Sequence, residues 1–161
     1  MKLYLMQHGE AKSREEDPDR PLSEKGQEDV ESVTAFAAKH VNLTIRQIFH
    51  SGKPRAQQTA EITAEQFRPA RGVSEGKDLD PMADASLWAK RLNEADDNIM
   101  LVGHLPHLSN LASILLCDES ARKIVAFRMG GIVCLEQDED RIWSVAWMLT
   151  PQALKRGAAA L

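Results

Sequence analysis

Three polar side chains that could take part in phosphoryl transfer follow apolar runs of the chain. His8 and His104 each come directly after such a run, and Arg55 lies shortly after another. Histidine is a good nucleophile near neutral pH and can carry a covalent phosphoryl group. Arginine binds phosphate oxygens through a planar, bidentate fork of N–H groups. These residue types together indicate chemistry on a phosphoryl group.

Two segments, residues 3–6 and 99–102, are wholly apolar, and their lack of alternation is typical of strands buried on both faces. Residues 45–50 are predicted to form a further strand. Helical spacing is found over residues 24–40, 53–67, 83–94, 107–116 and 151–159, with a possible short strand near residue 73. Strands that alternate with helices predict an α/β fold in three layers, with a mostly parallel sheet and helices on both faces.

Two later apolar runs predict an antiparallel hairpin at the C-terminal edge of this sheet. They cover residues 132–135 and 142–147, and the polar residues 137–140 join them. In the parallel part, all strands end at one edge, which is where open α/β sheets bind their ligands. We therefore expect His8, Arg55 and His104 to converge. The predicted helix after His104 would add the free N–H groups of its N-terminus.

Composition indicates a soluble globular protein. The chain has 161 residues with a net charge of -4, and 43% of its residues are hydrophobic. We expect a single domain over residues 1–161, a monomer, and no nucleic-acid or membrane partner, since no apolar run is long enough to span a bilayer. Cys117 and Cys134 stand in apolar surroundings and are expected to be buried, reduced thiols. With no visible secretory signal, these features predict a cytoplasmic protein.

Two further segments bear on the site. The charged loop over residues 11–22 is long for a compact domain, and long loops tend to be functional or disordered. His104 and His107 have a spacing that metal sites use, but Pro106 intervenes and no acidic or cysteine partner is nearby in sequence. We therefore expect no metal and no other cofactor.

The polar motifs, taken in order, resemble those of the histidine phosphatase superfamily, which has the phosphoglycerate-mutase-like fold. The family's R-H-G corresponds to residues 7–9, its S-x-x-x-R-A-x-Q-T-A to residues 51–60, and its G-H to residues 103–104. The R-P-L-S sequence of residues 20–23 is similar to a segment of the SixA-type phosphohistidine phosphatases. The resemblance covers essentially the whole chain and implies a metal-independent phosphatase.

The resemblance also implies roles for individual residues. His8 would be the nucleophile, and His104 would bind the phosphoryl oxygens and stabilise their transition-state charge. Arg55 would bind the phosphate, and Arg20 would reach in from the loop as a further cation. Ser51 would either bind phosphate or cap the following helix.

Gln7 departs from the family pattern, which has a phosphate-binding arginine at this position. Glutamine keeps a donor for phosphate but loses the charge, and a charge-assisted hydrogen bond contributes roughly 1.5–3 kcal/mol. Three outcomes are open: Arg20, Arg55 or Lys53 compensates; the activity is weak; or the protein binds a phosphorylated partner without turning it over.

The sequence thus predicts a phosphohistidine phosphatase that forms a covalent phosphohistidine intermediate. Its expected substrate is a phosphohistidine protein, for example a histidine-phosphotransfer domain. The alternatives are a small-metabolite phosphomonoesterase and a module that binds phosphoproteins. Glu10, Asp78 and Asp80 are the candidates for a general acid.

Overall fold

The computed structural model describes residues 1–119 and 122–158 of the chain. Within these residues, six strands form one sheet and five helices pack against it. The elements in chain order are β1 (Lys2–Gln7), α1 (Glu24–His40), β2 (Gln47–His50), α2 (Pro54–Phe67), β3 (Val73–Glu75), α3 (Ala85–Asn93), β4 (Ile99–Gly103), α4 (His107–Cys117), β5 (Ile132–Gln137), β6 (Trp143–Leu149) and α5 (Pro151–Ala158).

The sheet has the strand order β3-β2-β4-β1-β5-β6. The first four strands in this order are parallel, and β5 and β6 form the antiparallel hairpin at one edge. The predicted α/β fold with a C-terminal antiparallel hairpin is therefore confirmed. Because β4 lies between β1 and β2, the ends of these three strands are neighbours.

Side chains of β1 alternate between two apolar cores, one on each face of the sheet. Leu3 and Leu5 belong to a core shared with α3 and α4, whereas Tyr4 and Met6 belong to a core shared with α1 and α2. This alternation follows from the two-residue repeat of a strand. Full burial of a large apolar side chain contributes roughly 1.5–3 kcal/mol, so the cores on both faces anchor β1 and the residues that follow it.

Three helix boundaries illustrate the local signals. α2 begins at Pro54, one residue later than predicted, with Lys53 as its cap residue, and proline is tolerated there because it has no N–H to lose in a first turn. α3 begins later than predicted, since the Asp84 side chain accepts a hydrogen bond from Ser86 N and thereby caps the helix. The predicted terminal helix is present as α5, and Ala159, which the prediction included, lies outside the described residues.

The two cysteines differ in exposure. Cys134 in β5 is buried, but Cys117 is exposed, so the expectation of burial is wrong for Cys117. Cys117 is the last residue of α4, and the chain turns away there through Asp118, which has a left-handed backbone (φ 57°). None of the described helices is long and apolar enough to span a membrane.

Candidate active site

His8, Arg55 and His104 lie together at the carboxyl edge of the parallel strands. Gln7 at the end of β1 pairs with Gly103 at the end of β4. One residue further on, His8 N donates a hydrogen bond to Gly103 O at 3.1 Å. The centroids of the His8 and His104 rings are 4.8 Å apart. The topology thus produces the convergence that the order of the motifs predicted.

The ring of His8 is held with one nitrogen facing the site. His8 Nδ1 lies 2.6 Å from Gly9 O. Because a carbonyl oxygen only accepts hydrogen bonds, Nδ1 carries the proton in this contact. Arg55 Nε donates to His8 Nε2 at 3.2 Å, which requires a free lone pair on Nε2. Burial, opposed by the hydrogen bond to Gly9 and assisted by the charges of Arg55 and Arg20, lowers the pKa of His8 to about 4. His8 is therefore a neutral imidazole near pH 7.

Gly9 lets the turn after His8 pack directly on α1. A Cβ atom at Gly9 would lie only 2.8 Å from Gly26 O and 2.9 Å from a methyl carbon of Val30. Such contacts would force the Gly26 backbone and the Val30 side chain to move. The sequence H-G at this position therefore reflects the close packing that positions His8.

His104 is buried beside His8, and it shares a hydrogen bond of 2.5 Å between its Nε2 and Ser51 Oγ. Burial lowers the pKa of His104 to about 3, and the charges of His8, Arg55 and Lys53 act in the same direction. The suggestion that Ser51 caps the following helix is wrong. The cap residue of α2 is Lys53, and its side chain makes no capping hydrogen bond.

The loop over residues 11–22 is tied to the site by its own backbone. Ala11 and Leu22 form an antiparallel bridge, and Lys12 N donates to Pro21 O at 2.9 Å. Arg20 has a left-handed backbone (φ 52°), and its Nε donates to Lys12 O at 3.2 Å. The charge of Arg20 lowers the pKa of both His8 and Arg55. The loop therefore presents Arg20 as a cation at the site.

Gln7 is buried, and its backbone is fixed on both sides. In the sheet, Gln7 pairs with Gly103 of β4, and the Gln7 carbonyl oxygen accepts a hydrogen bond of 3.0 Å from Gly130 N. In the described part of the chain, no group forms a hydrogen bond with the Gln7 side-chain amide. The departure from the family motif is thus confined to the side chain.

The three candidate acids occupy different positions. Glu10 accepts from Ser23 Oγ and forms an ion pair of 3.0 Å with Lys25. Asp78 forms an ion pair with Arg91.

Asp80 forms an ion pair of 3.1 Å with Lys53, and its negative charge raises the pKa of His104 against the larger effect of burial. Of the three carboxylates, Asp80 is therefore the one whose field acts on a histidine of the site.

His107 does not join the site. It is fully buried at the start of α4, and neither ring nitrogen forms a hydrogen bond with any of the residues that the structure describes. Burial lowers its pKa. Among residues 1–119 and 122–158, no group of three or more histidine, cysteine or acidic residues has the geometry to hold a metal ion.

Two residues that support the site were not assigned roles from the sequence. Thr59 Oγ1 accepts a hydrogen bond of 3.1 Å from Gly9 N and donates to Arg55 O at 2.7 Å. Gln58 Oε1 accepts from Leu22 N at 2.8 Å and so holds the end of the loop. Both belong to the Q-T of the middle motif. The motif marks both residues in the sequence. It does not reveal their partners Gly9 and Leu22, which are distant along the chain.

Comparisons with known proteins agree with this geometry. Residues 3–83 match the model of the histidine phosphatase superfamily, branch 1, and these residues are half of the chain. The chain therefore belongs to the histidine phosphatase superfamily. The comparison with curated protein sequences found no match.

Solved structures show the same fold at low sequence identity. The chain is similar to the protein histidine phosphatase SixA in complex with tungstate (TM-score 0.82, 23% identity, 96% of this chain and 99% of that chain). It is also similar to an alpha-ribazole phosphatase from Shigella flexneri (0.73, 15%, 94% and 97%). A third similar structure is a mycobacterial glucosyl-3-phosphoglycerate phosphatase (0.68, 16%, 91% and 97%).

Proposed function

We propose that this protein is a phosphohistidine phosphatase that removes the phosphoryl group of a phosphohistidine protein through a covalent intermediate on His8. The proposal rests on the protonation state and the hydrogen bonds of the His8 ring. Its Nδ1 proton is bound by Gly9 O, its Nε2 lone pair faces Arg55, and its pKa is about 4. A neutral imidazole with one oriented lone pair is what a nucleophile requires at neutral pH.

In the first step, His8 Nε2 attacks phosphorus, and the P–N bond of the substrate breaks. Arg55 exchanges its contact with Nε2 for the phosphoryl oxygens, and His104 and Arg20 stabilise the charge on those oxygens. When the second nitrogen of the substrate ring carries a proton, the leaving group departs as neutral imidazole. Such a substrate requires no proton from the protein at this step.

In the second step, water attacks phosphorus, the bond to His8 Nε2 breaks, and phosphate is released. One proton of the water passes to a carboxylate or to the departing substrate imidazole, and His8 returns to its neutral form. Asp80 is our candidate for this carboxylate, because its charge acts on His104. No metal or organic cofactor takes part in the proposed reaction.

A protein substrate suits the form of the site. Two connections at this edge are short, namely residues 51–53 between β2 and α2 and residues 104–106 between β4 and α4. A phosphorylated side chain of another protein, such as a histidine-phosphotransfer domain, could reach His8 over them. The structural similarity to SixA supports this substrate class. We further propose that the chain acts as one domain, as a monomer and in the cytoplasm.

The main alternative is a phosphomonoesterase for a small metabolite. Two of the similar structures are phosphatases of such compounds. An ester would need a proton for its leaving oxygen, and Asp80 would have to leave Lys53 and become protonated to supply it. A binding function without turnover is the second alternative, and Gln7 is the residue that favours it.

One experiment separates these functions. Wild type, His8→Ala and Gln7→Arg are incubated with a phosphorylated histidine-phosphotransfer domain and with a generic phosphomonoester, and phosphate release is followed. We expect wild type to act on the phosphohistidine protein and His8→Ala to be inactive. Faster turnover of the ester would favour the metabolite phosphatase. Activity in Gln7→Arg alone would identify a degenerate enzyme, and inactivity of both would refute the phosphatase function.

A further inference from the structure

A groove of about 640 Å³ opens beside the proposed active site. It runs between the first turns of α4 and the segment over residues 123–127, and we refer to it as the α4 groove. Its walls are mainly apolar and include Leu105, Pro106, Val125 and Phe127, with Lys123 at its side. None of these residues takes part in the proposed phosphoryl transfer, so the groove needs a separate explanation.

Both walls of the α4 groove are connected to the phosphoryl site. On one side, Leu105 directly follows His104. On the other side, the chain runs from Phe127 to Gly130, whose N–H lies 3.0 Å from Gln7 O and 3.3 Å from His8 O. A phosphorylated side chain that reaches His8 therefore places the neighbouring residues of its own chain over the groove.

Large apolar side chains are exposed in these walls and next to them along the chain. Leu105 in one wall is 41% exposed. Ile124, between the wall residues Lys123 and Val125, is 43% exposed, and Met129, two residues after Phe127, is 48% exposed. Clustered apolar exposure at the rim of a groove is typical of a binding surface rather than of ordinary protein surface. The clustering next to the active site indicates that the surface is covered during the reaction.

The charges around the groove indicate what covers it. Lys123 in the wall of the groove forms no ion pair with any acidic side chain of the described residues, although the chain as a whole carries a net charge of -4. Its positive charge adds to those of Arg20 and Arg55 at the neighbouring phosphoryl site. The complementary partner presents acidic side chains next to its phosphoryl group.

We propose that the α4 groove docks the helix that carries the phosphohistidine of the protein substrate. Apolar side chains one turn from the phosphohistidine enter the groove beside Leu105, and acidic side chains of that helix face Lys123. This is helix-in-groove recognition, with residues three or four apart acting as anchors. The inference rests on the proposed function and specifies how that site selects its substrate.

The kinetic test compares two substrates. One is a histidine-phosphotransfer domain phosphorylated on histidine, and the other is phosphoramidate, which offers a P–N bond without a helix. Lys123→Glu and Leu105→Gln are expected to lower kcat/KM for the protein about tenfold through KM, with little change for phosphoramidate. Lys90→Glu and Ile142→Gln are matched controls, because both residues are exposed far from the carboxyl edge of the sheet.

A binding test keeps the docking surface separate from turnover. In the His8→Ala background, the affinity for the phosphorylated domain is measured with and without Lys123→Glu. We expect Kd to rise about tenfold, whereas Lys90→Glu leaves it unchanged. Equal Kd values would overturn the docking proposal even if wild type is active. A wild type that releases no phosphate would refute the proposed function. The binding result would still decide whether the α4 groove docks the phosphorylated domain.

The size of the protein in solution provides the remaining control. If a second copy of this chain occupies the groove, Leu105→Gln and Lys123→Glu will convert a dimer to a monomer in light scattering. That result would overturn the proposal in favour of a subunit interface. We expect instead the same mass for wild type and both variants.

Discussion

The two sides of the phosphoryl site differ in how firmly their side chains are held. On the α2 side, Ser51 bonds to His104 and Arg55 bonds to His8, at 2.5 and 3.2 Å. On the β1 side, the Gln7 amide has no hydrogen-bond partner among the residues that the structure describes. The chain thus keeps the family motif at Ser51 and Arg55, whose side chains form hydrogen bonds within the site, and departs from it at Gln7.

This difference indicates which side supplies the phosphate-binding charge. Arg55 is preorganised by its contact with His8, the proposed nucleophile, and the loop over residues 11–22 adds the charge of Arg20. Gln7 can then contribute at most neutral hydrogen bonds to a phosphoryl oxygen. We therefore expect the loss of a side chain on the α2 side to lower activity more than the loss of the Gln7 side chain on the β1 side.

The largest effect is expected on the α2 side. Arg55→Met removes a guanidinium that can make two charge-assisted hydrogen bonds to a phosphoryl group, each contributing roughly 1.5–3 kcal/mol. We expect kcat/KM for a phosphorylated histidine-phosphotransfer domain to fall roughly 10²- to 10⁴-fold. Arg55→Lys keeps the charge without the fork and should recover part of the loss. A loss below tenfold would show that Arg20 carries the charge on its own.

A gain is expected on the β1 side. Gln7→Arg restores the family's cation at a residue whose backbone is already fixed by Gly103 and Gly130. One additional charge-assisted contact should raise kcat/KM for the same substrate about 10- to 100-fold. Gln7→Met, which has neither charge nor amide, is the control for side-chain size. No gain would mean that Arg20 and Arg55 already satisfy the phosphoryl oxygens.

Much of this arrangement could be predicted from the sequence, because it depends on topology. Apolar runs locate the strands, parallel strands end at one edge, and Pro54 marks the start of α2. The convergence of His8, Arg55 and His104 follows from these features alone. The family motif added the expected roles, which the mutants above test.

The parts that the sequence did not predict depend on side-chain packing between distant segments. Phosphate binding and helix capping were both considered for Ser51, whereas its hydroxyl forms a hydrogen bond with His104, which is 53 residues away. Cys117 stands in apolar sequence, yet α4 ends there and leaves it exposed. The exposure of Leu105 likewise depends on which distant segments pack around it, and a local sequence pattern does not predict this packing.

The pH dependence of stability tests the contact that Arg55, on the α2 side, makes with His8. The folded-state pKa of His8 is about 4, below the value of about 6.5 expected for the unfolded chain. As the pH falls from 6.5 towards 4, the unfolded state takes up the proton first, so stability is lost across this window. Protonation of Nε2 would also remove the acceptor for Arg55.

We expect His8 to account for about 1–3 kcal/mol of this loss. Urea unfolding of wild type and His8→Gln between pH 6.5 and pH 4.5 measures it, and the variant should show the shallower decline. His104, whose pKa is lowered to about 3, contributes in the same direction and remains in both proteins. Parallel pH profiles would contradict a buried, neutral His8.

The smallest effect is expected from removing the Gln7 amide. In Gln7→Met, the substrate loses only neutral hydrogen bonds, each with a net contribution of about 0.5–1.5 kcal/mol. We expect kcat/KM to fall only about 2- to 10-fold. Because no internal hydrogen bond is broken, the melting temperature should stay close to that of wild type. Gln7→Glu, which places a negative charge at the same position, should be much less active. A loss in Gln7→Met as large as that in Arg55→Met would show that the amide is a principal phosphate anchor, and the two sides of the site would then be equivalent.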